Sequence, residues 1–203
     1  MALVKICGVT TLADAELCID AGAESIGLNF VASSPRVLTV ADARAIADAI
    51  RGRIRVIGVV ANLAALAMRR LRADAGLDAL QLHGDESAAD LAALLPNAYK
   101  AVRIASPVDV EHARRFAGDD LLLDAKSPTG LGGTGAVFDW SLVIDIAQER
   151  RITLAGGLTP DNVQAAVSSV AAYRVDVASG VEDARNPRKK DPSKVRAFVA
   201  AAR

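Results

Sequence analysis

Two residues of this sequence invite a chemical reading first, Cys7 and Asp124. Cys7 ends a short apolar run beside Lys5 and Gly8. A lone cysteine is most simply a small buried apolar residue, yet at a strand end it is also a candidate thiolate. Asp124 ends the run Leu121-Leu122-Leu123-Asp124, and a stretch with glycines at 130, 132, 133 and 135 follows. A buried strand that delivers one carboxylate to a glycine-rich loop is a way to build a site, and equally a way to end a strand. His83, in Gln81-Leu82-His83-Gly84, and Asp176, in Val175-Asp176-Val177, sit at comparable places. Arg36 follows Ser33-Ser34-Pro35, and Pro35 would stiffen the loop that presents it. Its planar guanidinium matches a carboxylate. A hydrogen-bonded structural histidine and a surface arginine are the plain alternatives. His83 and His112, the two histidines, form no metal-ligand cluster with Cys7.

The elements that would carry these residues alternate strictly. Strands are expected over 3–7, 25–30, 55–60, 78–82, 98–103, 121–124, 152–155 and 174–177. Helices are expected between and after them. Thr10 or Thr11 caps the first, to 21, with Gly22 ending it. Thr39 with Asp42 opens the second, to about 50, and Asn62 the third, to about 74. Further helices cover 86–95, the segment opened by Ser106-Pro107, 139–149, the segment opened by Thr159-Pro160, and 191–201. Eight βα units in one domain of α/β class predict a closed (β/α)8 TIM barrel spanning 1–203; an open doubly wound sheet is the rival. One internal similarity favours the barrel. Residues 20–29, DAGAESIGLN, match residues 74–83, DAGLDALQLH, so the second and fourth strands look equivalent.

In a barrel, chemistry gathers at the C-terminal strand ends. The residues there are Cys7, Asn29, Ala61-Asn62, His83, Arg103, Asp124, Gly156-Gly157, Asp176 and Ser179-Gly180. They are mostly polar, and apolar residues precede them. Gly156 and Gly157 follow the seventh strand, where bare amides could approach an anion. Ser179-Gly180-Val181-Glu182 follows the eighth with the spacing of a capping box, and would open a short helix stopped by Asn186-Pro187. Two such loops with a helix N-terminus predict a phosphate site. Gly130-Leu131-Gly132-Gly133-Thr134-Gly135 fits G-x-G-x-x-G but begins six residues past Asp124, and no acid ends the following strand. A lid over a substrate is therefore expected there, not a dinucleotide site. The basic run Arg185, Arg188, Lys189 and Lys190 reads as solvated surface, and Cys18, among helix alanines, as packing.

The bulk numbers narrow the classes. Lysine plus arginine equals aspartate plus glutamate at 24 each, giving no general pull toward nucleic acid or anionic membrane. The apolar fraction is 52% but aromatics are 3%, so the core must be built from Ala, Val, Leu and Ile. No apolar run approaches a membrane span. Residues 1–8 lack the apolar core of a secretory leader, and two cysteines make no disulfide framework, so a cytoplasmic location is expected.

Taken together, the motifs resemble the phosphoribosylanthranilate isomerase family of tryptophan biosynthesis. The stretches are KICGVT (5–10), GLNF and SSPR (27–36), QLHGDE (81–86), and LLLD with GGTGAVFDW (121–140). LAGGLTPDNV (154–163), VDVASGVE (175–182) and KDPSKVRAF (190–198) complete them. Val31-Ala32 and the glycine-free stretch 185–190 depart from the family pattern, both in loops. The resemblance implies an Amadori rearrangement with Asp124 as general acid and Cys7 as general base. It further implies Arg36 on the anthranilate carboxylate, His83 and Asp176 on the substrate, and Gly156, Gly157, Ser179 and Gly180 on the phosphate. No cofactor or metal is implied, because the substrate's own nitrogen is the electron sink. Lys5 or the iminium would favour the Cys7 thiolate, and burial would keep the proton on Asp124. The expected partner is the phosphosugar substrate alone, with the chain a monomer or homodimer. Two rival readings are a histidine-pathway Amadori isomerase, whose pair of aspartates disagrees with Cys7, and a non-catalytic phosphosugar-binding barrel.

Overall fold

The computed structural model describes residues 1–125 and 139–203. The glycine stretch 130–135, and with it the expected lid, lies outside the described residues. Eight strands, β1 (Leu3–Cys7), β2 (Ser25–Asn29), β3 (Arg55–Val60), β4 (Ala79–Leu82), β5 (Ala98–Ile104), β6 (Asp120–Ala125), β7 (Arg151–Leu154) and β8 (Arg174–Val177), close into one parallel barrel in chain order. The crossovers are α1 (Leu12–Ala21), α2 (Val40–Ala49), α3 (Ala65–Asp74), α4 (Ala88–Ala92), α5 (Pro107–Arg114), α6 (Ile144–Glu149) and α7 (Val163–Val170). A final helix, α8 (Pro192–Ala202), packs beside α1 and α7. Among the described residues no helix is long and apolar enough to cross a membrane.

Strand alternation decides which side chains reach the barrel interior. On β1, Val4 and Ile6 join the large cluster between strands and helices, so Lys5 and Cys7 face inward. On β4, Leu80 and Leu82 pack outward while Ala79 belongs to a separate inner cluster, which turns Gln81 inward and His83 after it. On β6, Leu121 and Leu123 pack outward and Leu122 inward, so Asp124 follows Leu122 on the inner face. On β8, Val175 and Val177 pack outward, leaving Arg174 and Asp176 inside. The inner apolar cluster is small: Ile57, Ala79, Tyr99, Ala101, Leu122 and Ala155. The interior also holds buried polar side chains, among them Lys5, Gln81, Arg174 and Asp176, with Lys5 paired to Asp176 and Arg174 to Glu24.

Local signals fixed most helix starts. Thr11 and Thr39 accept from the Asp14 and Asp42 amides, Ser106 with Asp109 forms a capping box before Pro107, and Asp191 caps α8. Three expectations need correction. Asn62 does not cap α3, which starts three residues later with Ala64 at its N-cap. Instead, with φ at 57°, Asn62 accepts from the Asp85 amide and donates its own N–H to Glu86, stapling the loops after β3 and β4. Thr159-Pro160 does not open α7 directly; Asn162 is its N-cap and the side chain bonds back to the Thr159 amide. Ser179-Gly180-Val181-Glu182 forms only a 3-10 turn over Ser179–Val181. The chain then makes a hairpin of β9 (Glu182–Asp183) and β10 (Asn186–Lys190), because Glu182 is drawn to two cations instead of back to a helix N-terminus.

Candidate active site

A pocket of about 480 Å³ opens at the C-terminal end of the barrel. Its lining includes Cys7, Gly8, Asn29, Arg36, Gln81, His83, Asp124, Gly156, Gly157, Asp176 and Ser179. Every expected site residue except Gly180 therefore borders one cavity. Gly180 lies just behind: a β-carbon there would meet the Leu158 carbonyl oxygen at 2.0 Å, so glycine lets the loops after β7 and β8 touch. Arg103 and Asn62 reach the rim but turn away, Arg103 to Asp85 at 3.4 Å.

The floor is a buried polar cluster. Lys5 Nζ donates to both oxygens of Asp176 at 3.0 Å and to Gln81 Oε1 at 2.9 Å. Burial, the largest single effect, pulls the Lys5 pKa down, but the Asp176 carboxylate together with Cys7 and Tyr99 outweighs it and holds the ammonium well above its ordinary range. Cys7 Sγ sits beside this cation, in space that exists because the facing residue on β2 is Gly27; a β-carbon there would lie 2.8 Å from the sulfur and 3.1 Å from Lys5 Nζ. Burial pushes the Cys7 thiol up, and Lys5 opposes the push without cancelling it, while Asp176 adds to it. The expectation that Lys5 favours the thiolate is right in direction, but in the free protein burial wins.

Asp124 is buried at 5% exposure. His83 Nε2 lies 3.2 Å from its Oδ2, although the two are not aligned for a hydrogen bond. Gly156, at φ 91°, backs this carboxyl: a β-carbon would fall 2.4 Å from the Ala125 nitrogen and 2.9 Å from Asp124 Oδ1. Gly157, at φ 63°, and Ser179 face the pocket beyond it.

Arg36 is brought over the pocket by two features that the sequence reading overlooked. Gly8, at φ 72°, leaves room for the Arg36 stem, whose Cδ would lie 2.3 Å from a β-carbon at that position. Glu182 takes one edge of the guanidinium, from Nε at 2.5 Å and Nη2 at 2.9 Å. Lys190 Nζ also donates to Glu182, at 3.2 Å, and to the Ala178 carbonyl. Burial works against the Glu182 carboxylate, but Arg36 and Lys190 hold its pKa below the ordinary value. The basic run is thus not simply solvated. Lys190 is buried, with its pKa pulled down by that burial, and Arg188 donates to the carbonyls of Pro35 and Val37, fixing the Arg36 loop. The Lys190 cation and an S-x-x-E glutamate were visible in sequence; the contacts they make were not.

Comparison with known proteins agrees with this geometry. The family model for N-(5'-phosphoribosyl)anthranilate isomerase matches residues 4–201. The N-(5'-phosphoribosyl)anthranilate isomerase of Magnetococcus marinus is 44% identical over 200 residues, covering 98% of this chain and 94% of that protein. A crystal structure of the phosphoribosyl anthranilate isomerase from Thermotoga maritima superposes with a TM-score of 0.91 at 35% identity, over 100% of this chain and 98% of that one. Another solved isomerase, in complex with reduced 1-(o-carboxyphenylamino)-1-deoxyribulose 5-phosphate, gives a TM-score of 0.87 at 33% identity over the same shares.

Proposed function

The chain belongs to the N-(5'-phosphoribosyl)anthranilate isomerase family, and from that premise we propose how its pocket performs the reaction. It is an isomerase of tryptophan biosynthesis that converts N-(5'-phosphoribosyl)anthranilate to 1-(2-carboxyphenylamino)-1-deoxyribulose 5-phosphate. The observation that carries the residue assignments is the convergence of Cys7, Asp124 and Arg36 on one cavity.

Asp124 gives its proton to the ribose ring oxygen. The bond from that oxygen to the anomeric carbon breaks, and the anthranilate nitrogen lone pair forms an iminium. Cys7, as thiolate, removes the proton from C2, and the electron pair flows to the iminium nitrogen to give an enolamine. Reprotonation at C1, with loss of the C2 hydroxyl proton, yields the ketose. The iminium adds, next to C2, to the positive charge of Lys5, which alone does not overcome the burial of Cys7. General acid and base of this kind contribute roughly 10²–10⁴-fold each.

Arg36 holds the anthranilate carboxylate through the guanidinium edge that Glu182 leaves free. Gly157, Ser179 and Gly180 hold the phosphate through backbone N–H groups and the 3-10 turn, and His83 and Asp176 contact the sugar or the amine. Cys7 in the base position favours this isomerase over a histidine-pathway relative, and the full acid–base set favours it over a binding-only barrel. The enzyme acts in the cytoplasm, as a monomer or homodimer; the Thermotoga maritima relative is described as dimeric. The direct test is loss of phosphoribosylanthranilate fluorescence on adding the purified protein. Folded protein that leaves the signal unchanged would return the binding-only barrel to first place.

A further inference from the structure

A chain of polar side chains joins the Lys5–Asp176 pair to the proposed acid. Lys5 Nζ reaches Gln81 Oε1 at 2.9 Å, the Gln81 amide nitrogen lies 2.9 Å from His83 Nδ1, and His83 Nε2 lies 3.2 Å from Asp124 Oδ2. The first link sets the direction of the others. A lysine ammonium carries protons and no acceptor, so it must face the amide oxygen of Gln81. The Tyr99 hydroxyl, 3.1 Å from the same oxygen, donates to it as well. The NH2 group of Gln81 is therefore turned to His83, and it has no lone pair to offer. His83 Nδ1 must accept. A neutral imidazole carries one ring proton, and here that proton is on Nε2, the nitrogen beside Asp124.

Gln81 is buried to 1% exposure and packed between these partners, so the amide cannot flip without setting its NH2 against the Lys5 ammonium. Nε2 has no aligned acceptor among the described residues. It is a donor held in reserve beside a carboxyl that acquires charge during the reaction.

We propose that Gln81 is a positioning residue that locks His83 in its Nε2-protonated form, and that this N–H receives the Asp124 carboxylate created when Asp124 protonates the sugar ring oxygen. One proton moves, from Asp124 to the ring oxygen. The ring C–O bond breaks with its electron pair on that oxygen. His83 keeps its proton throughout and only donates a hydrogen bond. The same lock denies His83 a free lone pair toward the pocket, so His83 does not compete with Cys7 as the base. The second half of the proposal rests on Asp124 being the acid; the tautomer does not.

The two are separated by ring-nitrogen ¹⁵N NMR at about pH 8, where an ordinary imidazole is neutral. A His112→Gln background, changed at an exposed position of α5, leaves one histidine signal. The expected spectrum has Nε2 protonated and Nδ1 bare; a protonated Nδ1 overturns the lock. Gln81→Glu replaces the donor with an acceptor and should move the proton to Nδ1. With it kcat should fall roughly 10- to 100-fold, the loss of one hydrogen bond to a charged group, while KM stays near the parent value. A shifted proton with unchanged kcat overturns the role in catalysis. If Gln81→Glu does not fold, Gln81→Met serves, with a mixture of tautomers and a smaller fall in kcat expected; a tautomer unchanged from the parent overturns the lock. Failure of the acid assignment would show separately, as retained turnover in Asp124→Ala with the parent tautomer intact.

Discussion

Gly156→Ala separates two jobs that one glycine could do. The sequence places Gly156 in the phosphate loop, but its α-carbon backs the proposed acid. An alanine would hold φ at 91°, a region that costs a side-chain-bearing residue about 1–3 kcal/mol. Its β-carbon would also sit 2.4 Å from the Ala125 nitrogen and 2.9 Å from Asp124 Oδ1, where ordinary contact begins at 3.4 Å. Relief requires a shift of about 1.0 Å for the strand end (3.4 − 2.4) or about 0.5 Å for the carboxyl (3.4 − 2.9). Displacement of a reacting group by 1 Å can cost roughly 10²-fold, so kcat should fall about 10- to 100-fold. KM should change by less than about 3-fold, because no substrate contact is removed. Gly157→Ala, on the pocket side, should do the reverse and raise KM. The assay is steady-state loss of phosphoribosylanthranilate fluorescence, with urea unfolding to confirm a stability loss in the 1–3 kcal/mol range. A Gly156→Ala enzyme with parental kcat and a raised KM would refute this reasoning and return Gly156 to the phosphate site.

Arg36→Ala should weaken substrate binding, raising KM by roughly 10-fold or more for one charge-assisted contact while kcat changes less; an unchanged KM in steady-state assays would remove Arg36 from the carboxylate site. Burial disfavours the Cys7 thiolate, so the free enzyme carries less of it at neutral pH than an ordinary cysteine does. Iodoacetamide alkylation of Cys7, followed by mass spectrometry in a Cys18→Ala background, should therefore be slow at pH 7 and still rising above pH 9. A midpoint at or below that of a free thiol would contradict the burial argument.

The barrel was legible because its signals are local and repeated. The strands over 55–60 and 174–177 coincide with β3 and β8, since apolar runs bounded by turn residues leave little choice. The strand-end rule then gathered Cys7, His83, Asp124 and Asp176 around one cavity from residues far apart in sequence. What escaped depends on partners across the barrel. Asn62 has the composition of a cap, yet the loop after β4 offers it a better partner in Asp85. Ser179 and Glu182 have capping-box spacing, yet Arg36 and Lys190 claim the glutamate from 146 and 8 residues away. Gln81 carried no signal as a single glutamine in an apolar strand. Only β-strand alternation, applied to Lys5, Gln81 and Asp176 together, could have raised the possibility of a polar interior.

The central claim is that one thiol and one carboxyl divide the proton transfers between them. Its most direct measurement is kcat for phosphoribosylanthranilate turnover in Cys7→Ala and in Asp124→Ala, each verified as folded. Each should fall by roughly 10²-fold or more, as for loss of a general base or acid. Near-parental turnover in either variant would contradict the assignment of that residue, whatever the other one shows.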